Sequence, residues 1–344
     1  MFRRALARTS FVAVVFLSLI FLSCLERTEE ITVSEDGTTT IIAKFKGEVD
    51  NFRPPVALPL EPEWEILEKK VDSSDIEHIR MELKAKLVVP YGMALPETYA
   101  KPDAAVKSVN LQFPTEVRNW TEGKRTFYEF KRTYLARGYG YYNITGGILW
   151  DQELENRVLE KGIFDVSEED RTKYLDQFAS AFRYLHWRFL WETLGTMVRG
   201  DEIPVSTKEN VETWAVHYLE SVITPVRILG ILGQEDDSIG VALDRLEDEL
   251  HDQFVRYFLT VTGQEQTDVQ ENFEDLLHTI TLDYDVTEAL NVHQFSVDLR
   301  LPGTIIGANG LIDPEIPGFV EWVFKGEDLH DKDIRLYALS VVDH

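Results

Sequence analysis

From residue 78 to residue 87 apolar and polar side chains alternate: Ile79, Met81, Leu83, Ala85 and Leu87 are separated by Arg80, Glu82, Lys84 and Lys86, and Val89 ends the run before Pro90. A period of two sends one set of side chains to each face of a strand, one buried and one wet. Similar but shorter patterns cover residues 31–33 and 39–45, with Glu35-Asp-Gly37 as the hairpin turn between them. They return at 64–71, 108–113, 116–121 and 125–135, the last two joined by Glu122-Gly-Lys124. Further on the period lengthens. Tyr174, Leu175, Phe178, Phe182, Leu185, Phe189 and Trp191 recur at three- and four-residue spacing, which makes a helical stripe. Residues 211–229 and 241–259 carry similar stripes, with Pro225 expected to kink the first and an acidic loop from Gly233 to Gly240 to separate them. Ser167 with Asp170, Ser206 with Glu209 and Thr267 with Gln270 are candidate cap pairs, so four or five helices are expected. After Leu290 alternation resumes through Phe295, Val297, Leu299 and Leu301, followed by strand patterns at 304–307, 319–324 and 335–342 around an Asn309-Gly310 turn.

The strands at the C-terminal end do not readily make a stable sheet alone, so pairing with the N-terminal strands is the economical arrangement. The expected class is α+β: a discontinuous antiparallel β-sheet domain with a large inserted α-helical bundle. Its parts are residues 24–143, the helical insertion 144–290, and the completing strands 291–344.

Residues 1–23 read differently. Arg3, Arg4 and Arg8 precede an apolar run from Phe11 to Leu22, and small Ser23 stands before Cys24, the arrangement of a secretory signal peptide. The run is shorter than the roughly 20 residues a spanning helix needs. This stretch resembles the lipobox of bacterial lipoproteins, which implies cleavage before Cys24 and acyl chains on that cysteine. No later apolar run approaches spanning length.

Composition narrows the partners. The 344 residues carry a formal charge of −25, and removal of the leader's three arginines makes it three units more negative. Such a surface is repelled by phosphate backbones, so nucleic acid is not an expected partner. Anionic headgroups repel it too, so membrane attachment depends on the lipid anchor. Cys24 is the sole cysteine, which excludes an intramolecular disulfide and a thiolate metal site.

Motifs for cofactors are missing. Gly138-Tyr-Gly140 is followed by Asn143 where a dinucleotide fingerprint needs a third glycine, and there is no phosphate-loop lysine, nucleophile elbow, H-E-x-x-H or EF-hand loop. Asp328, Asp331 and Asp333 read as a polar turn. Asp248-Glu-Leu-His251 and Asp275-Leu-Leu-His278 each place a carboxylate and an imidazole one turn apart, on two different helices. Dimetal bundles use that geometry with glutamate in place of aspartate, and Glu192 and Glu212 would be the further ligands. Asp248 and His251 flank the Leu243, Leu246, Leu250, Phe254 stripe, which suits a solvated position instead. His186 and His217, set among aromatics, read as interior histidines. Tyr134, Tyr139, Tyr141, Tyr142 and Trp150 cluster in sequence where strands give way to helices, with Phe182, Trp187, Phe189 and Trp191 soon after. They can serve as core, or Tyr141, Tyr142, Trp150 and Trp187 can hold an acyl chain or a partner segment.

Cys24-Leu-Glu, Glu35-Asp-Gly37, Leu301-Pro-Gly303, Asn309-Gly310, Val320-Glu-Trp322 and Ala338-Leu-Ser340 together resemble the LppM-like class of bacterial envelope lipoproteins. The resemblance covers the two ends of the chain, and the helical insertion departs from that pattern. It implies a lipid-anchored antiparallel sheet packed with helix, binding lipids or lipid-linked glycans, with no catalytic residues. The expectation is therefore a non-enzymatic binding module for lipid or protein, without a cofactor. It is held in the envelope, with Leu25 after the anchor fitting export to the outer membrane, facing the periplasm. The alternative is an extracytoplasmic metalloenzyme using Asp248, His251, Asp275 and His278.

Overall fold

The computed structural model describes residues 25–52, 57–74, 79–99, 109–138, 151–234, 236–263, 268–291 and 293–344. Cys24, Tyr139, Tyr141, Tyr142, Trp150 and the Thr267 cap lie outside them. The chain forms two compact units. Residues Gly140–Tyr284 make a helical unit, and Leu22–Tyr139 joins Asp285–His344 in a sheet unit. The class is α+β, with the helices inserted between strands.

In the sheet unit, β1 (Glu26–Val33), β2 (Thr39–Glu48), β3 (Glu65–Asp72), β4 (Arg80–Val89), β7 (Gln294–Arg300), β9 (Leu311–Ile312) and β10 (Phe319–Lys325) form one sheet. Its order is β3-β4-β2-β1-β7-β10-β9. A second sheet has the order β5-β6-β11-β8, from β5 (Thr115–Glu122), β6 (Arg125–Tyr134), β8 (Thr304–Ala308) and β11 (Ile334–Asp343). Both sheets thus join strands from the two ends of the chain, through β1 with β7 and β6 with β11. One pairing departs from the all-antiparallel expectation: β1 and β7 run parallel, Arg27 opposite Phe295 and Glu29 opposite Val297. Parallel neighbours need a long crossover, and the chain between these two strands includes the whole insertion.

Alternation in sequence becomes alternation in burial. Leu83, Ala85 and Val89 of β4 and Phe295, Val297 and Leu299 of β7 face inward. At the first turn, Gly37 takes φ 83° and Asp36 Oδ1 accepts from Thr38 N at 2.9 Å, so the glycine supplies a conformation that side chains resist. Of the expected strand at 108–113, the described residues 109–113 are not a strand. Val109, Leu111 and Phe113 are buried as alternation requires, but this stretch satisfies its backbone outside any ladder, with Phe113 N donating to Glu97 O at 2.7 Å. Between the sheets lies an aromatic core: Tyr134 sits 5.0 Å from Phe324 and 5.9 Å from Phe295, ring to ring, and Phe130 sits 6.2 Å from Trp322.

The helical unit holds α1 (Gln152–Lys161), α2 (Glu168–Arg199), α3 (Val205–Val222), α4 (Pro225–Leu232), α5 (Asp236–Thr262) and most of α6 (Asp268–Asn291), whose last residues from Asp285 count with the sheet unit. The first helix was not expected from the stripes. It is short, buries Leu154 and Val158, and is capped by Asp151, whose side chain accepts from Leu154 N at 3.1 Å. Ser167 caps α2 as its spacing predicts, accepting from Asp170 N at 3.1 Å. Ser206 does not cap α3, which begins one residue earlier after Pro204. At Pro225 the helix breaks instead of kinking: α3 and α4 meet at 53°. Proline cannot donate to the carbonyl a turn back, and Thr224 restarts the helix by accepting from Arg227 N at 3.2 Å. The acidic loop is shorter than expected, because Gly240 lies within α5. The bundle core gathers Phe178, Phe182, Phe189, Leu246, Leu250, Phe254, Phe258 and Phe273, the last two stacked at 4.4 Å. Among the described residues no single helix is long and apolar enough to cross a membrane.

Candidate functional site

Helix α2 uses two faces. Phe178, Phe182, Leu185 and Phe189 enter the core, while Ser180, Arg183, Tyr184 and Trp187, at the same helical spacing but rotated, line an open groove of about 350 Å³ against Val216, Leu219 and Glu220 of α3. That volume is at the lower end of the range for small-ligand sites, roughly 300–1,000 Å³. The rings of Tyr184 and Trp187 lie 6.0 Å apart, and Trp187 continues to Trp191 at 6.2 Å. Val216 is exposed and Leu219 buried, so one groove wall is apolar and partly wet.

Charge frames this aromatic line. Arg188 lies over the Trp191 ring at 4.5 Å and the Trp187 ring at 5.9 Å, and Lys208 approaches Trp191 at 4.8 Å. Ring faces attract cations, which orders these long side chains. Arg183 is fixed by its own helix: Nε donates to Ala179 O at 3.1 Å and Nη2 to Ser180 Oγ at 3.2 Å. It forms no ion pair with a described residue, and Glu220 supplies the acidic group on the opposite wall. The arrangement suits a ligand with an apolar body and a hydrogen-bonding head.

Of the four aromatics expected to bind, Trp187 lies in this groove, and Tyr141, Tyr142 and Trp150 lie outside the described residues. The rest of the aromatic run is divided. Tyr134 belongs to the core of the sheet unit, while Phe182 and Phe189 are core of the helical unit.

The proposed metal quartet is not assembled. Asp275 and His278 are exposed, and among the described residues no three histidine, cysteine, aspartate or glutamate side chains could share an ion. Glu212 is engaged by Lys208 at 2.5 Å, and Glu192 lies 3.6 Å from Arg199. His251 is not on a solvated flank: it is half-buried, its ring 6.2 Å from that of His186. His186 is interior as expected, 1 % exposed and edge-on to Phe182 at 4.5 Å. Burial first, and His251 second, hold it well below the usual histidine range. His217 is the opposite case, with a side chain 78 % exposed. The inward face of α3 is Thr207, Val211, Ala215 and Leu219, and position 217 points away from it. Asp328 and Asp333 serve turns, accepting from Lys325 N and Ala136 N at 2.8 and 2.9 Å.

Sequence reasoning missed a buried charged cluster between the two sheets. Arg132 Nη1 of β6 donates to Glu29 Oε2 of β1 at 2.5 Å, Tyr134 OH donates to Glu29 Oε1 at 3.1 Å, and Arg132 Nε donates to Thr115 Oγ1 at 2.7 Å. Burial works against the Arg132 charge, but Glu29, Tyr134 and Tyr99 together outweigh it and hold the guanidinium above its ordinary range. Burial, then Glu29, pushes the Tyr134 phenol up. A signal was present: Leu25, Arg27, Glu29, Ile31 and Val33 share one strand parity, and charges on the parity of a buried face need an explanation.

No family model, no curated protein and no solved structure matches this chain.

Proposed function

We propose that this chain is a lipid-anchored lipoprotein of the bacterial envelope, held through acyl chains on Cys24, with its body in the periplasm at the outer membrane. Its helical unit takes up an amphiphilic ligand, an acyl chain with a polar head, without turning it over. The observation that carries this reading is the groove between α2 and α3, with Tyr184, Trp187, Val216 and Leu219 for an apolar body and Arg183 and Glu220 for a head group. The leader pattern and the resemblance to LppM-like lipoproteins support the anchor. Acyl chains at Cys24 would contribute about 0.8 kcal/mol per buried methylene, enough to hold an acidic body at a bilayer that repels it.

Native mass spectrometry of residues 25–344, exported and purified without detergent, tests the ligand. Wild type should retain an acyl or glycolipid mass, and Trp187→Ala should lose it while keeping its helical circular dichroism. Equal retention by both proteins would refute the groove. The anchor has its own test: Cys24→Ser should move the full chain from the membrane fraction to the soluble fraction.

A further inference from the structure

Arg27 is 5 % exposed in the middle of the sheet unit. Its register explains its surroundings. On β1 it stands opposite Phe45 of β2 on one side and Phe295 of β7 on the other, and its guanidinium lies 5.3 Å from each ring centroid. Two ring faces partly offset the cost of burying a cation. They do not accept five N–H donors, nor do they cancel a charge. The Arg27 side chain makes no hydrogen bond or ion pair with a described residue, and its Nε is fully enclosed.

The nearest acid is already used. Glu29 lies two residues along the same strand face, and its two oxygens take Arg132 Nη1 and Tyr134 OH. Among the described residues, two buried arginines of the sheet unit therefore share one buried carboxylate. His293, buried beside them, is kept well below its usual range by burial and then by Arg27, so it stays neutral. Burial also pulls Arg27 itself down to about 10, against the pull of Tyr99, Tyr134 and Glu29. An uncompensated charge in such a place costs several kcal/mol.

Arg27 also lines a small cavity of about 10 Å³, together with Thr98, Tyr99 and Asn110 and with Val286 and Leu290 as apolar walls. That is room for about one water-sized species, too little for the four oxygens of a phosphate. A water would accept from the N–H donors but leave the charge. The geometry points to an anion site: a single small monovalent anion, of the size of chloride, bound against Arg27 and completing the charge balance of the inter-sheet core. This site lies in the sheet unit and is independent of the Trp187 groove.

Thermal unfolding of the full chain in detergent, in sodium chloride against sodium gluconate at equal ionic strength, tests it. Chloride should raise the wild-type Tm by about 2 °C at ten times its dissociation constant, and Arg27→Met should show no difference between the salts. Equal Tm values in both salts, or a chloride increment that persists in Arg27→Met, would overturn the site. Should Arg27→Met fail to fold, wild-type crystals soaked in bromide decide the matter. An anomalous peak beside Arg27 supports the proposal, and its absence there refutes it.

Discussion

Glu29 of β1 and Arg132 of β6 meet at 2.5 Å, oxygen to nitrogen, and tie the seven-stranded sheet to the four-stranded one. Their side chains are 7 % and 0 % exposed, so water screens neither. Within that contact Tyr134 bonds the second carboxylate oxygen, and the Arg132 guanidinium rests 5.0 Å from the Phe113 ring. Such a pair is not a net source of stability, because desolvation offsets its attraction, but losing one member strands the other.

Arg132→Met should therefore destabilise the chain by about 3–5 kcal/mol, and Glu29→Gln by a comparable amount. The double variant should cost less than the sum of the two, since neither charge is then left alone. Urea unfolding of the four proteins measures this; strict additivity would mean that the pair is not coupled.

Acid should weaken the fold through its buried histidines. His186 and His293 are both held well below the usual range, chiefly by burial. Each is therefore neutral in the native state at a pH where the unfolded chain already binds a proton. The sign follows: stability is full above about 6.5 and falls as pH drops below it, by up to about 1.4 kcal/mol per pH unit for each histidine. His186→Phe should shrink the difference between urea midpoints at pH 7.5 and 5.5. An undiminished difference would show that His186 does not contribute.

Two glycines hold the corner after β7. A Cβ at Gly318, φ 72°, would lie 2.0 Å from Leu301 O, and one at Gly303, φ 79°, would lie 2.1 Å from Val341 O. Gly123 also has positive φ, 64°, but open space around it. Gly123→Ala should cost about 1–2 kcal/mol, the penalty of the left-handed conformation alone. Gly318→Ala should cost clearly more, because a backbone carbonyl cannot move aside as a side chain can. Denaturation midpoints that fell equally would refute the steric argument.

Much of this architecture was legible in single residues. Alternation at Leu83, Ala85 and Val89, and at Phe295, Val297 and Leu299, marked strands because burial on one face is a local property of a pleated chain. Ser167 announced α2, since a cap satisfies backbone donors three residues away. Trp187 was singled out as a binding residue, yet nothing in its neighbourhood told it from Phe189, which is core. Which face of α2 stays open depends on where α3 lies. His217 shows the same limit: aromatic neighbours in sequence suggested an interior place, and the rotation of α3 turned it outward.

The sequence by itself determined the periods, the turns, the acidic charge and the leader pattern, all of which depend on residues a few positions apart. Tertiary structure decided the rest. The parallel register of β1 on β7 brings Phe295 beside Arg27, and the facing of the two sheets brings Arg132 to Glu29, 103 residues away in sequence. Such pairings arise because burial in a common core forces distant side chains to satisfy one another, and no local pattern encodes which partner they find.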